Sequence, residues 1–411
     1  MPTRPAQGCI SAIGCADTPH LRRLSAAPIR RRRAVRPFDL LVEITRLRLC
    51  ANNSPIFQMK HFVKFYPDNY TDNVRTPWAG YRLANILKSG FDYDFPDTIG
   101  EVWIFSTCPD LPSQCMSPHQ GAFSALLKNY PDCWLSENHR KIWGDDTPLL
   151  IKFIDAAQDL SLQLHPPMKQ TDLDDNQCGK WESWYVLHSE ENAGIYLGLK
   201  ENVTQDQFVQ TINQHGDVKS LLRFVPVRKG DMFVIPPRTI HALGAGVVVL
   251  EPQLIVPGKS AISMRLYDWN RKYDANGKLS DHGQPRKLHF EAALPYINFN
   301  DHTDIENNRI HVPCRVCHSE RFKIESVELA PCLISTFLRG TGTKSIDSIG
   351  ELTAIFVLHG SVDIQISGEH CTLKTGESGA IAASATQIQF DCHDAVACYV
   401  YCLPDRFKEM C

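Results

Sequence analysis

The 411-residue sequence predicts a mainly β protein built as two strand-bearing units with a small helical insertion. Three observations carry that expectation. Short runs rich in Val, Ile, Leu, Phe and Tyr recur along the chain and end at Gly, Pro or Asp. Helical periodicity is confined to stretches near 119–130, 204–222 and 288–294. A second set of strands begins after about residue 300. With 43% hydrophobic residues the chain can bury substantial cores.

Taken in order, the strands of the first unit are EVWIFS (101–106), LLIKFIDA (149–156), LSLQLH (160–165), SWYVLH (183–188), GIYLGL (194–199), DMFVIP (231–236) and GVVVLEPQL (246–254). Those of the second are FKIESVEL (322–329), TAIFVLHGSVDIQISG (353–368), ESGAIAA (377–383) and ACYVYCLP (397–404). The domain outline is therefore a basic extension over 1–58, a first unit over 59–300 and a second over 301–411. Residues 1–38 hold eight Arg and one acid, Asp17, a composition that cannot bury a core, so 1–58 is expected to be disordered and outside the main fold. It reads as a transit-like segment or as sequence ahead of a start at Met59, which opens the patterned stretch MKHFVKFYPDNY. Deleting 1–58 is expected to leave turnover and Tm nearly unchanged; a truncated chain that fails to fold or loses activity overturns this.

Charge and cysteine usage exclude several function classes. Lys and Arg number 43 against 46 Asp and Glu, a net −3, which gives no field to hold nucleic acid or an anionic membrane. No apolar run approaches the roughly 18–20 residues that span a bilayer. Fifteen cysteines, an odd number spread through a long chain, read as unpaired thiols in a reducing, cytoplasmic setting. The close pair Cys314 and Cys317 lacks a second CxxC and reads as structural. Oligomeric state is left open.

The chemistry concentrates in three segments. In DLSLQLHPP, alternation sets Leu160, Leu162 and Leu164 on one face and Ser161, Gln163 and His165 on the other, with Pro166-Pro167 ending the strand. In GKWESWYVLH, Glu182 shares a face with Trp184 and Val186. A carboxylate among large apolar neighbours needs a cation, a metal or several donors. In GDMFVIPPRTIHALGAG, the spacing of Gly230, Pro236 and His241 resembles the second motif of the cupin superfamily, whose His enters a small β-barrel as a metal ligand. Gln163, His165, Glu182 and His241 make a mixed N/O set suited to Zn²⁺ or another divalent first-row ion. Occupancy is expected to fall as pH drops through the imidazole range, about 6–7.

The order of GEVWIFS, PLLIKFIDAAQDLSLQLHPP, GKWESWYVL, IPPRTIHALGAG, LEPQ and RLYDWNR resembles zinc-dependent type I mannose-6-phosphate isomerases of the shorter form, across 59–411. The resemblance implies two cupin-type (jelly-roll) β-barrels, the second metal-free. It implies one Zn²⁺ per chain on Gln163, His165, Glu182 and His241. Lys152, Ser161 and Lys180 would line the sugar-phosphate site, Arg265 would be the catalytic arginine, and Glu251 a carboxylate close to it. The implied reaction interconverts mannose 6-phosphate and fructose 6-phosphate through a cis-enediol, with Glu251, Lys180 and a zinc-bound hydroxide all candidates for the base. A catalytically idle sugar-phosphate-binding protein with a regulatory role, or an iron dioxygenase on the same fold, would be alternatives.

Three departures stand out. Arg238 occupies the usual Gly of the cupin motif, which bears on the local turn. Pro252 interrupts the segment after Glu251, and VPGK (256–259) looks like an insertion that would reshape the loop carrying Arg265. On that alternative, Arg265 is a rim charge paired with Asp268.

Overall fold

The computed structural model describes residues 61–168, 172–299, 309–310, 322–328 and 332–407. The expectations for 1–58 and for Cys314 and Cys317 lie outside the described residues. The described residues all fall in one compact unit.

Two antiparallel sheets build the first half. A six-stranded sheet runs Arg309–Ile310, Met232–Ile235, Trp181–Ser189, Val247–Leu254, Leu149–Ala156, Glu101–Ser106. A five-stranded sheet runs Leu222–Pro226, Gly194–Leu199, His241–Leu243, Leu162–Leu164, Met264–Tyr267. Their inner faces meet in one apolar cluster, with Ile154, Trp184, Val186, Phe233 and Val249 from the first sheet against Ile195, Leu197 and Leu243 from the second. Period-two alternation turns Leu162, Leu164, Tyr196 and Ala242 to the outside of the five-stranded sheet. There they pack on Phe208 and Ile212 of helix Gln205–Asn213. Thr204 caps that helix by accepting from the Gln207 amide, 3.2 Å.

The second half is a single continuous seven-stranded sheet in the order Phe62–Lys64, Ser378–Ile381, Thr353–Ile366, Ile388–Cys402, Leu333–Ile346, Phe322–Glu328, with Glu369–Lys374 hairpinned onto Thr353–Ile366. Register shifts near Gly340 and His359 break the long strands, and the sheet holds its own core around Leu338, Val357, Ile364 and Phe390. Its edge strand Phe62–Lys64 comes from just after Met59. One cluster joins Val63, Phe337, Phe356 and Val400 of this sheet to Val102, Ile151, Phe153 and Leu250 on the outer face of the six-stranded sheet. The two strand-built units thus exchange a strand and share a core.

The expected helical stretches appear as Phe123–Asn129, Gln205–Asn213 and Phe290–Ala293. Helices Arg82–Gly90 and Glu137–Trp143 were not foreseen. The first buries only Leu83, Ala84 and Leu87, and the second only His139, too little for a periodic signal. No helix among the described residues is long and apolar enough to cross a membrane. Nine described cysteines are unpaired and all but Cys371 are buried.

A candidate metal centre at the polar end of the sandwich

The two inner faces change from apolar to polar toward one end, and register dictates what meets there. On the five-stranded sheet, Gln163 pairs with His241 on one side and Arg265 on the other. On the six-stranded sheet, Lys152 pairs with Glu251, and Gln253, two residues on, pairs with Glu182. All four residues of that second row are buried. Gly179 lets the chain pass against Pro166-Pro167 just before Lys180; a Cβ there would lie 1.8 Å from the Pro166 carbonyl oxygen.

His165, Glu182 and His241 present their ligand atoms within 4.8 Å of one another. Each imidazole donates Nδ1–H to a backbone carbonyl, His165 to Ile262 at 3.2 Å and His241 to Thr239 at 2.9 Å. This sets the tautomer and aims both Nε2 lone pairs at Glu182, 3.0 Å from Oε1 for His165 and 3.5 Å from Oε2 for His241. Burial pushes His165 down to about 3 and lowers His241, so both rings are neutral near pH 7. Glu182 lies well below its ordinary range despite burial, because His165 and the Lys180 ammonium face it. Glu182 Oε1 accepts from Lys180 and from Gln253 Nε2, the latter at 2.6 Å. Its Oε2 and the His165 Nε2 have no hydrogen-bond partner. The unpartnered lone pair of His165 and the anionic oxygen of Glu182 fit a divalent cation. Gln163, whose Nε2 lies 3.5 Å from His241 Nε2, brings an amide to the same place that would complete an N/O set through its oxygen.

Because burial already keeps the imidazoles neutral, protons compete with the metal only below the ordinary imidazole range. The loss expected from sequence near about 6–7 therefore moves down in pH. Elemental analysis after desalting is expected to find full occupancy at pH 6 and loss only in stronger acid; half the metal lost by about pH 6.5 would contradict this. The apoprotein should lose stability as pH falls below about 6.5, since the unfolded chain takes up these protons first.

Glu182 and Gln163 line a cavity of about 190 Å³ together with Lys152, Ser161, Glu251 and Arg265, while His165 and His241 stay fully buried behind them. Arg265 sits on Met264–Tyr267, with Nε on Ser161 Oγ at 3.2 Å and Nη1 on the Lys287 carbonyl at 2.8 Å. Burial and the nearby Arg286 lower it to about 10, so it remains cationic. Asp268 is taken by Arg271 and Arg286, not by Arg265. The VPGK segment is a turn, closed by the Lys259 amide on the Val256 carbonyl at 3.1 Å, and leaves the Arg265–Gln163 pairing intact. Pro252 lies inside Val247–Leu254 without breaking its pairing to Leu149–Ala156. Arg238 adopts φ 72°, the left-handed conformation for which Gly is usual, and its amide donates to the His165 carbonyl at 2.6 Å. Glu251 is pushed up to about 8 by burial and then by Glu182, while Trp184 Nε1 (2.9 Å) and Gln253 Nε2 (2.7 Å) hold its two oxygens.

The sequence model described as "Phosphomannose isomerase type I, catalytic domain" matches residues 78–207. "Mannose-6-phosphate isomerase ManA" of Bacillus subtilis is 35% identical over 230 residues, 54% of this chain and 64% of that protein, so the matched stretch spans just under two thirds of ManA. "Probable mannose-6-phosphate isomerase GmuF" of the same organism is 33% identical over 57% of this chain and 68% of its own length. The chain belongs to the type I phosphomannose isomerase family. A crystal structure of the Bacillus subtilis mannose 6-phosphate isomerase superposes with a TM-score of 0.65 at 24% identity, covering 83% of this chain and 99% of that one, a likeness of fold.

Within this phosphomannose isomerase fold, the matched region holds Lys152, Ser161, Gln163, His165, Lys180 and Glu182. His241, Glu251 and Arg265 lie beyond it and join the others through strand pairing. Sequence reasoning missed Gln253, Glu101, Trp103, Arg75 and Arg286. Alternation in EVWIFS and VVVLEPQL already set Glu101 with Trp103 and Glu251 with Gln253 on common faces. The arginines carry no local signal.

Proposed function

We propose that the chain is an aldose–ketose isomerase interconverting mannose 6-phosphate and fructose 6-phosphate, with Zn²⁺ held by Gln163, His165, Glu182 and His241. The observation that carries this is the buried His165–Glu182–His241 group, with its unpartnered Nε2 and Oε2, whose Glu182 lines a cavity shared with five cations. When bound, the ion supplies Lewis-acid polarisation of the sugar's carbonyl and hydroxyl oxygens.

The remaining work falls to side chains. A proton must leave C2 of the open-chain aldose as its electron pair moves toward the C1 carbonyl, giving a cis-enediolate. A proton then passes from O2 to O1, and the carbon-bound proton returns at C1 as the C2 carbonyl forms. Lys180 is raised above its ordinary value by Glu182 and Glu251 despite burial, so it stays protonated and serves to hold Glu182 rather than as base. Glu251, with a carboxyl that titrates near neutrality and both oxygens positioned, is the group to carry the proton. Arg265, fixed by Ser161 and Lys287, offers its guanidinium to the enediolate oxygens. The substrate is a small sugar phosphate, and unpaired buried thiols favour a cytoplasmic setting.

A coupled assay following fructose 6-phosphate from mannose 6-phosphate tests the reading. Zinc-replete protein is expected to turn over, and chelator-stripped protein only after zinc is restored. A folded, zinc-loaded protein without turnover would overturn it.

A further inference from the structure

We propose that Arg75 and Arg286 form the clamp for the substrate's phosphate group, so that the site selects a phosphorylated sugar through these two guanidiniums rather than through its lysines. The inference rests on the isomerase reading and names which side chains carry its specificity.

The cavity lining holds five cations, Arg75, Lys152, Lys180, Arg265 and Arg286, against three carboxylates, Glu101, Glu182 and Glu251. That excess suits a dianion. The cations differ in what they have left to donate. Lys180 is closed against Glu182. Lys152 lies 3.5 Å from Glu101 Oε2 and 4.2 Å from the centre of the Trp103 ring. Arg265 is committed to Ser161 and the Lys287 carbonyl.

Of the arginines that line the cavity, Arg286 and Arg75 are the two that the reaction itself does not engage, and both keep N–H groups to spare. Arg286 gives Nε and Nη2 to the two Asp268 oxygens, at 2.7 and 2.6 Å, and its guanidinium carbon sits 5.4 Å from the centre of the Tyr273 ring. These contacts fix the plane of the guanidinium and leave Nη1 with no hydrogen bond among the described residues. Arg75 is exposed, and its guanidinium carbon rests 5.1 Å from the centre of the Trp103 ring. Its side chain makes no hydrogen bond or ion pair among the described residues. A planar fork with unused donors matches the oxygens of a phosphate better than an ammonium already paired. Arg286 is preorganised, and Arg75 lines the cavity from the solvent side.

Kinetics of the zinc-loaded full chain decide the matter. Arg75→Gln and Arg286→Gln are each expected to raise KM for mannose 6-phosphate about 10–100-fold, the range for losing a charge-assisted hydrogen bond, with kcat within a few-fold. Unphosphorylated mannose, assayed at high concentration, should be turned over by the variants as by wild type, and Arg75→Lys should recover part of the loss. Inorganic phosphate, titrated by calorimetry without turnover, should bind the variants more weakly by a similar factor. Arg75 is exposed, so its variant folds whether or not Arg286→Gln does. Unchanged KM and unchanged phosphate binding in Arg75→Gln would overturn the clamp while leaving the isomerase reading standing. Weakened phosphate binding in a protein without isomerisation would uphold the clamp and remove the reaction.

Discussion

Replacing His241 with alanine is expected to leave the purified protein with little metal and to lower kcat by on the order of 10³-fold or more. A bound divalent ion supplies several kcal/mol of charge stabilisation, and each ~1.4 kcal/mol is a factor of ten. The choice of residue follows from the geometry. His241 is fully buried, its Nδ1 is tied to the Thr239 carbonyl at 2.9 Å, and its Nε2 faces the Glu182 oxygen that nothing else holds. Alanine removes one ligand and opens a void beside Trp184, whose ring centre lies 5.4 Å from the imidazole's. Some loss of Tm is expected from that void, but Lys180 and Gln253 still hold Glu182 Oε1, so the chain should fold. His241→Gln, nearer in volume, should keep more of the Tm and still lose metal. Elemental analysis and kcat on both variants decide: equal metal content and turnover in wild type and His241→Ala would sink the ligand assignment.

Arg265→Ala is expected to lower kcat by ~10²–10³-fold, the usual effect of losing one preorganised donor, while KM changes less. The guanidinium is held from two sides and stays charged near neutral pH, lowered only to about 10. Such a group meets the charge that develops in the transition state without reorganising. The alternative of a rim charge loses its footing, because the carboxylate it requires, Asp268, is bonded by Arg271 and Arg286. Arg265→Lys keeps the charge but not the planar fork and should recover only part of the rate. With zinc content and folding matched to wild type, turnover of Arg265→Ala within a few-fold would mean that the arginine does not serve the reaction.

Two departures in the sequence show where local reading overreached. The Gly-to-Arg change at 238 suggested a different turn, yet the backbone keeps the left-handed conformation, with Arg238 tied to the His165 and Tyr296 carbonyls. VPGK suggested a displaced Arg265, yet the extra residues close into their own turn before the strand resumes. In both places the ladders on either side specify the path more strongly than the residue types in between.

By itself the sequence determined the β-rich character and the polar faces that carry Gln163, His165 and Glu182. Both follow from a side-chain period of two, which is written into neighbouring residues. Its motifs also pointed to His241, Glu251 and Arg265 as partners. Tertiary structure alone decided that the second unit is one sheet sharing a core with the first, because that depends on pairing Phe62–Lys64 with Ser378–Ile381, more than 300 residues apart. It also decided which charges are spent and which are available. Lys180 and Lys152 look like phosphate ligands in the sequence but face Glu182 and Glu101, whereas Arg75 and Arg286, which carry no motif, keep donors unused. Whether a cation can serve a ligand depends on what lies within about 4 Å of it, and that distance is set by packing between strands remote in the chain.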